Sequence, residues 1–217
     1  VRSRGLGDVY KRQQGVPGEY DYARSGNPSR EQVEEAIALL EGGVRGFAYA
    51  SGMAAIGSAL SLLKSGDHLI APDDLYGGSW RYLSQVLPQL GIEASFVDQT
   101  DLAAIEAAIR PATRAIFLET PSNPLFKITD LRAVAALAKE KGLLTLLDNT
   151  FMTPLLQKPL ELGIDVVIHS ATKFLGGHSD LLAGAVVTAP ASRSEWPPRH
   201  LVALWMTTSM PSSRGFC

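Results

Sequence analysis

Ser170-Ala171-Thr172-Lys173 sets two hydroxyls and a primary amine within four residues, directly after the apolar run Val166–His169. Alternation carried past a strand aims Ser170 and Thr172 toward one side, with Lys173 immediately behind them. Hydroxyls and exposed amides suit a phosphate, and an amine suits a carbonyl. Together they suit pyridoxal phosphate, which forms a Schiff base with lysine. The same four residues also read as a helix cap at Thr172 and a solvated charge at Lys173, so partners elsewhere in the chain have to decide.

Asp148 closes the run 143–147 in Leu147-Asp148-Asn149-Thr150. A carboxylate there pairs with a protonated pyridine nitrogen and keeps the ring an electron sink; a turn or helix cap is its ordinary use. Ser51-Gly52-Met53 opens a helix whose first amides and dipole favour a phosphate, or are simply capped. Tyr76, in the turn Leu75-Tyr76-Gly77-Gly78, offers an aromatic face to a flat ring, or is a surface-loop tyrosine. Arg24, in the turn-rich stretch from Tyr22 to Pro28, is a phosphate ligand supplied from a distance or a loop arginine in a salt bridge. Other chemistries lack their signatures: GxGxxG, GxxxxGK[ST] and HExxH are absent, and the four histidines are dispersed. His178-Ser179-Asp180 is no triad, because neighbours in sequence cannot point at one another as that mechanism requires.

The elements that position these residues alternate helix and strand. From about Met53 onward, helical periodicity (Met53, Ile56, Leu60, Leu63; Trp80, Leu83, Leu87, Leu90; Leu102, Ile105, Ile109; Leu131, Val134, Leu137) alternates with short apolar runs at 68–72, 94–97, 115–118, 143–147 and 166–169. Pro88 is expected to bend the last turn of its helix, and Thr129 or Asp130 to cap the helix beginning at Leu131. This is the pattern of an α/β fold with a mostly parallel sheet flanked by helices. Ligands gather at the carboxyl edge of such sheets, which is where the polar stops Asp148 and Ser170 fall.

Composition narrows the classes. A chain of 217 residues with 46% hydrophobic side chains suits one buried core. A net charge of -2 offers no overall basic field for nucleic acid or an anionic membrane surface. The single cysteine, Cys217, allows no intrachain disulfide and no cysteine-based metal cage, which fits a cytoplasmic protein. No apolar run approaches membrane-spanning length. No nucleic acid, membrane or metal is expected as a partner.

Taken together, YARSGNPSR, ASGMAAI, DLYGGSWR, ETPSNP, LLDNTF, HSATKFLGGHSD and LAGAVV resemble, in order and spacing, the Cys/Met-metabolism family of pyridoxal-phosphate enzymes, over about residues 14–188. The resemblance implies the large domain of an aspartate-aminotransferase-like fold. It implies that Lys173 holds the cofactor and shuttles the substrate's Cα proton, that Asp148 binds the pyridine nitrogen, and that Tyr76 stacks on the ring and assists as acid or base. It places the Gly52 and Met53 amides and the Ser170 and Thr172 hydroxyls on the phosphate, and Asn123 near the ring's 3-hydroxyl. Tyr22 and Arg24 would reach the phosphate of a neighbouring subunit, so a homodimer is the minimum unit and a homotetramer the family's habit. The substrate would be a small sulfur-containing amino acid.

The same resemblance divides the chain into a basic arm outside the family pattern (1–13), an N-terminal arm contacting a neighbouring subunit (14–50), the cofactor-binding α/β domain (51–189) and a tail outside the family pattern (190–217). By the same resemblance the family's C-terminal domain, with its carboxylate-gripping arginine, is expected to be missing. The expected activity is that of a cystathionine gamma-synthase or beta-lyase. Alternatives are methionine gamma-lyase, which Gly78 argues against because such enzymes place cysteine there, cystathionine gamma-lyase, O-acetylhomoserine sulfhydrylase, and a truncated chain that binds cofactor without turnover.

Overall fold

The computed structural model describes residues 26–189. Tyr22, Arg24, the basic residues 1–13 and the 190–217 tail lie outside the described residues. Among the described residues seven strands form one sheet: β1 (Arg45–Tyr49), β2 (His68–Pro72), β3 (Glu93–Val97), β4 (Thr113–Glu119), β5 (Leu144–Asp148), β6 (Val166–His169) and β7 (Gly184–Thr188), in the order β1-β7-β6-β5-β4-β2-β3. β3, β2, β4, β5 and β6 pair in parallel, while β7 is antiparallel to both its neighbours, β6 and β1. The helices are α1 (Pro28–Glu41), α2 (Gly52–Leu60), α3 (Gly77–Arg81), α4 (Leu102–Ala107), α5 (Leu131–Lys141), α6 (Thr153–Leu156) and α7 (Pro159–Leu162). The expected mostly parallel α/β sheet is present.

Strands buried on both faces read as unbroken apolar runs, and successive residues serve opposite faces. In β4, Ala115 and Phe117 join a core with Leu144, Leu146, Val166 and Ile168, while Ile116 and Leu118 join another with Leu147 and Val167. α2 covers the first face with Ala55, Ile56, Ala59 and Leu60. α1 and α5 cover the second with Ile37, Ala38, Leu131, Val134 and Leu137. Among the described residues, no helix is long and apolar enough to cross a membrane.

Two local expectations change, and a third resolves to one of its two alternatives. Residues 28–49, expected within an N-terminal arm, form α1 and β1 of the same sheet. Asn27 caps α1 by accepting from the Ser29 and Arg30 amides at 2.9 and 3.3 Å, Gly42 ends it at φ 71°, and Phe47 of β1 enters the core. β1 escapes a local reading because its partner is β7, far downstream. The segment 77–90 is not one continuous α-helix: α3 passes into a π-helical turn (Tyr82–Val86) and a tight 3-10 turn (Leu87–Leu90). Pro88 has no N–H for the helical ladder, so the register slips around it. Leu83 and Leu87 are buried, but Trp80 and Leu90 are 46% and 55% exposed. Of the two proposed caps for α5, Asp130 takes the role, accepting from the Ala133 amide at 3.0 Å, whereas the Thr129 amide donates to Thr120 Oγ1.

Candidate active site

Parallel strands leave their carboxyl ends on one edge, and the connections diverge between β2 and β4, since the chain leaves β2 for β3 on one side and β4 for β5 on the other. A crevice at such a divergence is where open α/β sheets collect ligands. Asp74 and Tyr76 follow β2, Glu119 closes β4, Asp148 closes β5, and Ser170 follows β6. The polar stops therefore share one edge.

Asp148 is buried, and its carboxylate accepts from Thr150 twice, from the hydroxyl at 2.5 Å and the amide at 3.0 Å. Burial raises the proton affinity of this carboxyl; the Thr150 bonds and the charge of His169 oppose that. The Thr150 hydroxyl also accepts the Ser170 amide at 2.8 Å, so it links the acid at the end of β5 to the loop after β6. Thr150 was not among the residues singled out from sequence.

Glu119 was also missed. It is the register partner of Asp148, and both its oxygens receive the Tyr76 amide, at 3.0 and 3.2 Å. Burial, followed by the charge of Asp148, pushes its carboxyl up to about 8, against the pull of the Tyr76 and Asn123 amides. Glu119 thus bonds to two expected site residues, Tyr76 and Asn123, and faces a third. The loop containing Asn123 is tied back to the exit of β2: the Ser122 hydroxyl and the Leu125 amide both donate to Asp74, and Lys127 Nζ bridges Asp73 and Asp98 at 3.0 and 3.1 Å.

The Tyr76 ring is held over a glycine. A Cβ on Gly78 would lie 2.4 Å from Tyr76 Cε1 and 3.1 Å from Met53 Sδ, so Tyr76 and Met53 flank Gly78. Tyr76 is 45% exposed and its hydroxyl has no partner among the described residues. At the start of α2, Ser51 occupies the Ala54 and Ala55 amides with its hydroxyl and carbonyl, leaving those of Gly52 and Met53 as the free donors of the first turn. Gly52 sits against Ser170: a Cβ there would lie 2.8 Å from Ser170 Oγ.

Thr172 departs from the arrangement drawn from sequence. Its hydroxyl donates to the Ala183 carbonyl and accepts the Ala183 amide, both at 3.1 Å, which spends its only donor. The chain turns straight after β6, with the Lys173 amide donating to the Ser170 carbonyl at 3.0 Å, so strand alternation does not continue to Thr172. Of the two hydroxyls, only that of Ser170 remains open. Lys173 is exposed, and its ammonium forms no ion pair among the described residues.

The residues fit a phosphorylated, flat cofactor with a cationic ring nitrogen. Asp148 is a buried acid whose charge calls for a cation beside it, and the free end of α2 faces an open hydroxyl. This combination at the edge of a mostly parallel sheet defines a class, the pyridoxal-phosphate-dependent enzymes of α/β fold. The sequence pattern described as "Cys/Met metabolism PLP-dependent enzyme" matches residues 6–200, and the chain belongs to that family.

The chain is 59% identical over 167 residues to cystathionine beta-lyase MetC of Bacillus subtilis (strain 168), covering 77% of this chain and 43% of that protein. It is 50% identical over 185 residues to the cystathionine gamma-synthase/O-acetylhomoserine (thiol)-lyase of the same organism, covering 85% and 50%. A crystal structure of cystathionine gamma-lyase from Lactobacillus plantarum complexed with L-serine superposes with a TM-score of 0.82 at 49% identity, covering 88% of this chain and 49% of that one. The chain thus spans about half the length of these relatives.

Proposed function

We propose that the protein to which this chain belongs is a pyridoxal-phosphate-dependent enzyme that cleaves or exchanges the carbon–sulfur bond of cystathionine-type amino acids, of cystathionine beta-lyase or gamma-synthase type. The observation that carries the reading is the Asp148–Thr150–Ser170 linkage, a buried acid tied to an open hydroxyl that faces a free helix end. Similarity to a cystathionine beta-lyase and to a cystathionine gamma-synthase supports the substrate class.

In this reading Asp148 holds the ring nitrogen, and the Gly52 and Met53 amides with Ser170 hold the phosphate. Thr172 joins them once its hydroxyl turns from Ala183. Asn123 lies by the ring hydroxyl, and Tyr22 and Arg24 come from a second subunit. The cofactor, when bound, supplies an electron sink for the pair left at Cα. Lys173 Nζ holds the cofactor and moves the Cα proton, while the Tyr76 ring covers one face and its hydroxyl protonates the departing sulfur. Self-association is supported by exposed apolar residues beside the site, including Leu125, Phe126, Ile128 and Phe174. Cytoplasmic residence belongs to the same reading.

The test is to mix purified protein with pyridoxal phosphate, dialyse, and record the near-visible absorbance. A band that survives dialysis and is lost in Lys173→Ala supports the site; no band in the unmutated protein overturns it. Supplying cystathionine and measuring pyruvate against 2-oxobutanoate then separates β- from γ-cleavage.

A further inference from the structure

Beneath the strand ends lies a buried polar cluster that the proposed chemistry does not use. Glu41, the last residue of α1, and His169, the last of β6, are both fully buried, with Oε1 and Nε2 2.5 Å apart. The same Oε1 accepts from Asn149 Nδ2 at 3.3 Å. Asn149 also donates to the Gln157 carbonyl at 3.0 Å and accepts from Gln157 Nε2 at 2.8 Å, and Gln157 reaches the Thr120 carbonyl at 3.5 Å. The Asn149 backbone amide donates to the Ile168 carbonyl at 2.9 Å.

Three residues of this cluster border a member of the candidate site. Thr120 follows Glu119, Asn149 follows Asp148, and His169 precedes Ser170. One buried carboxylate, supplied by a helix at the other end of the described chain, therefore ties together the exits of β5 and β6 and, through Gln157, that of β4. Among the described residues, Glu41 Oε2 and His169 Nδ1 have no hydrogen-bond partner. A carboxylate is costly to bury in the interior, so packing alone does not account for one here.

We infer that Glu41 and His169 are positioning residues for the cofactor site, setting the separation between Asp148, which takes the ring nitrogen, and the loop from Ser170 to Lys173, which takes the phosphate and the carbonyl carbon. The inference rests on the proposed cofactor reading. A protonated His169 also favours the ionised form of Asp148, which acts in the same direction.

Three variants test it: Glu41→Ala, which removes the acceptor; Glu41→Gln, which keeps a side-chain oxygen where Oε1 stands; and Leu137→Ala, a core truncation in α5 outside this network, which lowers stability alone. Equilibrium binding of pyridoxal phosphate is measured well below each melting midpoint, and amide hydrogen exchange at Asn149 and Ser170 is measured without cofactor. Glu41→Ala is expected to bind about tenfold more weakly, the equivalent of one lost hydrogen bond to a charged group, while Glu41→Gln and Leu137→Ala stay near the parent. Exchange at Asn149 and Ser170 accelerates in Glu41→Ala and not in Leu137→Ala.

Glu41→Ala that melts earlier yet binds cofactor like the parent overturns the inference and leaves the cofactor reading intact. A parent that binds no pyridoxal phosphate overturns the cofactor reading, and with it the positioning role. Unchanged exchange at both amides in Glu41→Ala excludes the clamp even then.

Discussion

Glu119 and Asp148 stand level with each other at the carboxyl ends of adjacent parallel strands, as register partners, and both are buried. Two carboxyls so placed cannot both carry charge cheaply, and burial raises the proton affinity of each. The edge of the sheet is thus built for an arriving cation, with a proton on Glu119 near neutrality.

The pH dependence follows from that proton. In the folded, cofactor-free protein the Glu119 carboxyl titrates at about 8 against an ordinary 4.5, so between those values the native state holds a proton the unfolded chain has lost. Stability from this group is complete below the lower value and declines as pH rises toward the upper one, by at most about 1.4 kcal/mol per pH unit. Glu119→Gln should flatten the decline in the melting midpoint between pH 5 and pH 8 and be the more stable protein at pH 8, leaving only the slope that Asp148 contributes. Parallel curves for the two proteins would remove Glu119 as the source.

Thr150→Val should separate the two limbs of the site. It deletes the hydroxyl that donates to Asp148 and leaves the Ser170 amide without its acceptor, a loss of about 1–3 kcal/mol in denaturant unfolding. Cofactor retention should fall with it, and Thr150→Ser should restore both. Retention unchanged in Thr150→Val would show that the linkage does not place Ser170.

Gly78→Ala pushes on the Tyr76 ring. The new methyl meets an exposed aromatic edge rather than backbone, so the ring swings aside and unfolding stability changes by less than about 1 kcal/mol. Turnover should drop while cofactor remains bound. Full activity would mean that the ring has no fixed place in the reaction.

Gly184→Ala behaves in the opposite way. Its Cβ would come within 2.1 Å of the Ser51 carbonyl oxygen, which is backbone at the start of α2 and cannot turn away. A cost of about 1–3 kcal/mol is expected, together with weaker cofactor binding, because α2 must shift from β7. Calorimetry with and without pyridoxal phosphate reads both effects.

Some of this site was legible in the sequence because Asp148 and Ser170 interrupt apolar runs, and a polar stop after a buried strand marks the ligand edge. Glu119 ends the run 115–118 in the same manner, so the signal for it was available and simply went unread. Thr150 acts through a hydroxyl two residues beyond its strand, where composition distinguishes it from no other threonine. Glu41 and His169 carry no local mark, since their contact is made across 128 residues. Thr172 misled because strand alternation was extended through a tight turn, and Leu90 misled because helical spacing was extended through Pro88.

The placement of β7 between β6 and β1 has a consequence for the order in which the molecule assembles. β2 through β6 can pair from consecutive stretches of chain, but β1 and α1, synthesised before them, have no place in the sheet until Gly184–Thr188, which follows β6, has emerged. Glu41 must then wait for His169 as well. During synthesis that segment is therefore an unpaired strand with an amphipathic helix attached, and closure is a late, long-range event, slow by topology and exposed to strand pairing between different nascent chains until β7 arrives.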